Sequence, residues 1–301
     1  MSDDRWRVWT ARRGEPGYPV GLLDLGPGAP GRIHGCGDRT AMAELDAART
    51  VTIVGSRRPS SYGLGVAEDL GLGLAAAGLV VVSGMALGID AAAHRGALAA
   101  QGLTVAVLGS GADVPYPPSE RRLYRAIVAT GAVISEASPG KRPERGAFPK
   151  RNRLMAALGG ATVVVEAARN SGSLITVREA AKLGREVGAV PGQITSKASE
   201  GTNDLIADGA FPVRGPQDVL DRMLGVGEQA VHRRGPSLEG GLARVLEAVE
   251  LGSATGDAVA AATGLDAGEP AIALARLELL GYVHTDASGR YLRTSLAPPD
   301  G

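Results

Sequence analysis

From Thr50 onward, short apolar runs recur along the chain, separated by stretches long enough to hold helices. The runs are Val51–Val54, Leu79–Val82, Thr104–Leu108, Ala132–Ser135, Thr162–Val165 and Val187–Val190, with a short last one near Phe211–Val213. Their apolar residues are consecutive rather than alternating, which marks strands buried on both faces and therefore a parallel sheet covered by helices on each side. Helices are predicted at Leu64–Ala77, Asp90–Ala100, Pro118–Ala129, Lys150–Leu158, Leu174–Arg185 and Asp204–Asp208. The expected fold class is α/β, with an extended Rossmann-like, doubly wound, mostly parallel sheet over residues 50–225. Residues 1–49 read as an irregular lead-in that packs on the sheet and adds a strand. Residues 226–237 mix Gly with His and Arg without periodicity, as a linker does. In 238–301, helical spacing at Leu238–Leu251, Thr255–Ala262 and Pro270–Leu280 precedes a hairpin of Tyr282–Thr285 with Tyr291–Thr294, turning at Ser288-Gly289. Three helices followed by a hairpin predict a small winged-helix module.

Composition narrows the picture. The 44 glycines sit between apolar runs rather than in low-complexity tracts, so they read as strand-to-helix turns. A single cysteine, Cys36, excludes an internal disulfide and a cysteine-based zinc site, and the four histidines show no ligand spacing, so no metal is expected. Leu70 to Ile89 is uncharged, but its glycines and Ser83 break it into a helix end, a stop at Gly78 and a strand, so no membrane span is expected. The start, Met1-Ser2-Asp3-Asp4-Arg5-Trp6, lacks the apolar core of a signal peptide, and a cytoplasmic location follows as the expectation.

In doubly wound folds ligands bind beyond the carboxyl ends of the strands. The turns there are rich in Gly and Ser: Gly55-Ser56-Arg57, Ser83-Gly84 and Ser171-Gly172-Ser173 are candidate phosphate-binding turns, since glycine lets the backbone approach an anion closely. Each glycine taken singly also has a purely structural use in a tight turn. A second feature is the concentration of positive charge. Between Lys141 and Arg153 six cations (Lys141, Arg142, Arg145, Lys150, Arg151, Arg153) face one anion, Glu144, in a chain of zero formal net charge. Phe148 lies among them. Cations that neutralise phosphates and an aromatic face that stacks bases are the means by which proteins hold single-stranded nucleic acid.

The dinucleotide fingerprint is missing. After the first strand the nearest approach to G-x-G-x-x-G is Gly63-Leu64-Gly65 with Glu68 in the third place, and no acidic residue follows the second strand. A Walker pattern is missing too, so no nucleotide cofactor is expected. Glu136 and Glu166 end adjacent strands and have the placement of an acid/base pair, but capping of helix N-termini or pairing with Arg153 and Arg151 is the preferred reading. His94 is expected to hydrogen-bond within the fold.

Taken in order, Val54-Gly55-Ser56-Arg57, Ser83-Gly84-Met85-Ala86-Leu87-Gly88-Ile89-Asp90 with His94, Phe148-Pro149-Lys150-Arg151-Asn152-Arg153, Ser171-Gly172-Ser173-Leu174-Ile175-Thr176, Pro191-Gly192 and Gly201-Thr202-Asn203 closely resemble the bacterial DNA-processing protein A (DprA/Smf) family over about residues 18–222. The resemblance implies a Rossmann-like domain that binds single-stranded DNA, forms a homodimer and helps load the RecA recombinase on DNA taken up in natural transformation, with no enzymatic activity. It places Arg57, Phe148, Lys150, Arg151, Asn152 and Arg153 at the DNA. Many members carry a small helical domain ahead of the Tyr-Pro pair, where this chain has seventeen residues. The competing readings are a nucleotide phosphoribohydrolase of the lysine-decarboxylase-like group and a pure partner-binding scaffold. The former would need a Pro-Gly-Gly-x-Gly-Thr type motif where Asn170-Ser171-Gly172-Ser173 stands.

Charge divides the two halves. Residues 239–301 carry four arginines and nine acids, a net charge of −5, which leaves +5 on residues 1–238. The field that attracts phosphate is therefore expected on the Rossmann-like domain and not on the C-terminal module.

Overall fold

A computed structural model of the chain describes residues 7–144, 146–226, 236–266, 268–286, 288–294 and 296, with the side chains of residues 43, 44 and 148 excepted. The chain forms two compact units, Met1–Val231 and His232–Gly301.

The first unit is built on a nine-stranded sheet of β1 (Val8–Arg12), β2 (Arg32–Gly37), β3 (Thr50–Val54), β4 (Val80–Ser83), β5 (Thr104–Val107), β6 (Ala132–Ser135), β7 (Ala161–Val164), β8 (Glu186–Ala189) and β9 (Phe211–Pro212). Their order across the sheet is β1-β2-β6-β5-β4-β3-β7-β8-β9. The strands from β3 to β9 pair in parallel, whereas β2 runs antiparallel to β6 and β1 antiparallel to β2. The order reverses at β3, flanked by β4 on one side and β7 on the other. Beyond the carboxyl ends of β3 and β7 the following segments diverge and leave a crevice.

Helices α1 (Ser61–Ala76), α2 (Ile89–Ala99), α3 (Arg121–Thr130), α4 (Ala147–Leu158), α5 (Ser173–Lys182), α6 (Glu200–Ala207) and α7 (Pro216–Leu224) follow the strands. Among the described residues three apolar clusters result, two larger ones and a smaller one that packs Leu123, Tyr124 and Ile127 of α3 with Met85, Ala106 and Val133. One of the larger two joins Val82, Val105 and Val164 to Leu154 and Leu158 of α4 and to Leu22, Met42 and Leu45 of the lead-in. The other joins Val51, Ile53 and Val163 to Leu70, Leu74, Ile89 and Leu220. Glycines set the approach of α1 to α2: a Cβ on Gly71 would lie 2.1 Å from the Ala93 carbonyl oxygen, and one on Gly96 would lie 1.9 Å from that of Glu68. No side chain larger than hydrogen fits at either crossing. The uncharged stretch from Leu70 to Ile89 is the end of α1, a left-handed turn at Gly78 (φ 80°), β4 and its exit turn. Among the described residues no helix is long and apolar enough to cross a membrane.

Two elements differ from the sequence reading. The lead-in adds two strands, not one. The sequence of β2, Arg-Ile-His-Gly-Cys-Gly, has little intrinsic strand preference, and its pairing rests on tertiary cover: the Trp9 ring lies across Gly35, where a Cβ would come within 2.2 Å of it. Helix α7 is the second. It opens on Pro216 and buries Val219 and Leu220 under α1, an amphipathic stripe too short to stand out in the sequence.

The second unit comprises α8 (Gly240–Glu250), α9 (Gly256–Thr263), α10 (Glu269–Leu279) and the antiparallel pair β10 (Val283–Thr285) and β11 (Tyr291–Arg293). Leu242, Val245, Leu246, Val259, Leu274, Leu277 and Tyr282 form its core. Thr255 caps α9 by accepting from the Ala258 N–H, and Gly264, with φ of 68°, ends it. Most of the expected linker, residues 227–235, lies outside the described residues.

Candidate nucleic-acid interface

The turn after β3 is folded back on α2. Gly55 is pressed against that helix, since a Cβ there would lie 2.7 Å from Ile89 Cγ1 and 3.0 Å from the Glu166 carbonyl oxygen. The Ser56 carbonyl accepts from the Ile89 N–H at 3.2 Å, and Ser56 Oγ accepts from the Arg58 N–H at 3.1 Å. This fixes the backbone on which Arg57 stands, with its side chain exposed at the rim.

The turn after β4 begins with Ser83, which is fully buried and donates its hydroxyl to the Ile53 carbonyl at 2.6 Å. Ser83 thus ties β4 to β3 and does not reach the rim. Met85 takes φ of 55°, in the left-handed region that a non-glycine residue enters only where its surroundings hold it. Asp90 follows on α2, buried, with Oδ2 accepting from the Ala86 N–H at 3.3 Å. Burial raises its pKa above the usual carboxylate range, an effect opposed by the positive charges of Arg151 and Arg57.

Helix α4 starts after Gly146, whose φ is 91°. Three consecutive side chains then moor it in three directions. Arg151 is 5% exposed, and its Nη1 donates to the Val107 carbonyl at 2.8 Å, at the end of β5. Asn152 Nδ2 donates to the Gly172 carbonyl at 3.2 Å, in the turn after β7. Arg153 pairs with Glu136 at the end of β6 and donates through Nη1 to the Gly28 carbonyl at 2.9 Å. Lys150 and Pro149 are left facing outward at the tip of the helix. The side chain of Phe148 lies outside the described residues, although its backbone is in α4. Of the six residues the resemblance places at the DNA, Arg57 and Lys150 are the exposed cations, whereas Arg151, Asn152 and Arg153 also hold the helix that carries Lys150.

Glu166 and Glu136 have structural partners. Glu166 is 2% exposed and accepts from the Ser60 N–H at 2.8 Å and the Ser60 hydroxyl at 2.5 Å, while Ser60 Oγ caps α1 through the Gly63 N–H at 3.1 Å. The pairing expected for Arg153 is present. The counter-charge that acts on Arg151 is Asp90 of α2 and not Glu166. His94 is fully buried and bonded to Thr104 Oγ1 at 2.7 Å; that hydroxyl also lies 2.8 Å from the Val81 carbonyl, to which it can only donate, so Nδ1 donates to Oγ1. Burial lowers the His94 pKa to about 3.

Two clefts flank the tip of α4, and Arg151 lines both. One, of about 530 Å³, lies in the crevice at the β3/β7 switch and joins Gly55, Ser56, Arg57, Asn152 and the turn Ser171-Gly172-Ser173. In that turn the Ser171 and Ser173 hydroxyls are 2.7 Å apart. Thr176 Oγ1 and Arg151 Nε, both buried, have no hydrogen-bond partner among the described residues. The other cleft, of about 580 Å³, is lined by Lys141, Lys150 and Arg153 together with Glu136 and Glu144. Sequence turns spread over more than a hundred residues are thus gathered into one cationic, glycine-lined rim. Among the described residues no group of His, Cys, Asp or Glu is arranged to hold a metal ion.

A family model described as DNA recombination-mediator protein A matches residues 9–224. A putative DNA processing protein DprA of Mycobacterium tuberculosis is 40% identical over 291 residues, covering 92% of this chain and 75% of the relative. The X-ray structure of DNA processing protein A from Streptococcus pneumoniae superposes with a TM-score of 0.65 at 39% identity, over 72% of this chain and 74% of that one. A Helicobacter pylori DNA processing protein A, whose structure is described as showing a single-stranded DNA binding mode, superposes with a TM-score of 0.64 at 29% identity, over 73% and 96%. The match spans the whole sheet and every turn of the rim, and the chain belongs to the DNA recombination-mediator protein A (DprA/Smf) family.

Proposed function

We propose that this chain binds single-stranded DNA across the tip of α4 and acts, without catalysis, as a cytoplasmic homodimer that protects incoming DNA and helps load a RecA-type recombinase in natural transformation. The observation that carries the reading is the placement of two exposed cations at the tip of α4: Arg57 in the crevice lined by Gly55, Ser56 and Ser171-Gly172-Ser173, and Lys150 in the neighbouring cleft with Lys141 and Arg153, Arg151 lining both. A helix N-terminus and glycine turns favour phosphate oxygens, and the open rim admits a strand whose bases are unstacked. The single-stranded DNA bound by the Helicobacter pylori relative supports the same ligand class.

Charge reversal of Arg57 and Lys150 together is expected to abolish a gel shift with short poly-dT and to reduce the salt dependence of binding. Equal binding by the folded double variant would overturn the site. Light scattering at micromolar protein is expected to return the dimer mass, and a monomer mass with and without DNA would overturn that part. Recombinase loading predicts faster RecA filament formation on strands coated with single-strand-binding protein when this chain is added. The phosphoribohydrolase reading has less support, because Glu166, the carboxylate best placed for acid/base work, is spent on the Ser60 cap. It predicts release of free base from nucleoside monophosphates, and none is expected.

A further inference from the structure

Beside Arg57, on the side away from the Ser171 turn, is a recess of about 70 Å³, lined by Tyr116, Leu87, Pro117 and Leu108 together with Arg57 and the buried Arg151. Tyr116 is 37% exposed and Leu87 44% exposed, so part of an aromatic ring and part of a branched apolar side chain are accessible to water beside the rim cation. Neither belongs to the hydrophobic cores of the sheet. We propose that this recess is a nucleobase subsite, in which Tyr116 stacks on, and Leu87 flanks, one unstacked base of the strand whose phosphates lie at Arg57.

Three observations select a base as the occupant. The recess is far smaller than the two clefts of about 530 and 580 Å³, giving room for one flat group and not for a sugar-phosphate backbone. Its lining is mainly apolar, and the exposed cation beside it is Arg57, the arrangement in which a ring is buried while its attached phosphate stays near a cation. Arg57 and Arg151 line both the recess and the crevice, so the two adjoin, and a strand that lies over Arg57 passes both. It is not legible in the sequence, because Tyr116 and Leu87 sit on turns after different strands. The inference rests on the proposed function and adds a base-reading element to it.

The test compares full-length protein and its variants by fluorescence anisotropy on two strands of equal length, one of poly-dT and one with abasic sites throughout. Tyr116→Ser is expected to weaken poly-dT binding roughly tenfold, the size of one base–aromatic stack, and to leave the abasic strand unchanged, while Tyr116→Phe retains wild-type affinity for both. Should Tyr116→Ser lose its cooperative melt, Leu87→Gln, on an exposed side chain, carries the same test with a smaller loss of the same selectivity. Folded variants that bind poly-dT like the wild type, while the Arg57/Lys150 charge reversal abolishes binding, would overturn the subsite and leave the function standing. Equal losses on both strands would also overturn it, since Tyr116 would then act through the backbone and not a base. A wild-type chain with no affinity for either strand would overturn the proposed function and the subsite with it.

Discussion

Arg151 fills the space that a side chain at residue 84 would need: a Cβ on Gly84 would lie 1.4 Å from Arg151 Nη1. The glycine that looks in the sequence like a phosphate-binding turn therefore has a second role, as the floor under a buried guanidinium that joins the end of β5 to α4. Through that guanidinium, the turn after β4 sets the position of the helix that carries Lys150.

Gly84→Ala is accordingly expected to displace Arg151 and to destabilise the folded chain by about 1–3 kcal/mol, the usual cost of overpacking a filled site. Because the two residues compete for one volume, Gly84→Ala combined with Arg151→Met should cost less than the sum of the single substitutions, with a coupling of roughly 0.5–3 kcal/mol. Urea denaturation of the four proteins measures it, and strict additivity would show that the guanidinium moves aside freely.

Ser60→Ala removes both the cap of α1 and a hydroxyl partner of the buried Glu166 carboxylate. The cap alone is worth about 1 kcal/mol, and leaving a buried carboxylate short of a donor adds to the loss, so a destabilisation of about 1–3 kcal/mol is expected. Ser60→Thr, which restores a hydroxyl, should recover most of it. Equal melting of Ser60→Ala and the wild type would refute the linkage.

His94 carries a pH prediction. Its folded pKa, lowered by burial to about 3, lies below the unfolded value near 6.5, so between these limits the unfolded chain binds a proton that the folded chain does not. Its contribution to stability is complete above about pH 6.5 and is lost as pH falls toward 3. Denaturation midpoints from pH 7.5 down to pH 4.5 should fall for the wild type and fall less steeply for His94→Gln. Parallel curves for the two proteins would remove His94 from the account.

Truncation after Leu238 should leave single-strand affinity within a few fold of the full chain at moderate salt. The removed residues carry a net charge of −5, and the exposed face of α10 offers Arg276 against Glu269 and Glu278. Phosphate is repelled by such a field. Loss of most affinity in the folded truncated protein, with DNA binding by the isolated module, would reverse this division of labour.

The sequence by itself determined the seven parallel strands and nearly all of their helices, because consecutive apolar runs have few other stable uses and Gly-Ser turns mark where they end. It also pointed to Lys150, through the cationic run from Lys141 to Arg153, and to Arg57, through the Gly-Ser turn after the first strand and the family resemblance. Of the two lead-in strands only one is expected from the sequence, since the glycines of β2 form a strand only with Trp9 packed over them. The separate duties of Lys150 and Arg151 were equally hidden. Adjacent on a helix, they point about 100° apart, so one reaches water and the other enters the space vacated by Gly84, more than sixty residues earlier in the chain. Charge and turn chemistry are properties of short segments and survive in the sequence, whereas which cation is buried and which carboxylate answers it depends on contacts between distant segments, and only the tertiary structure decided those.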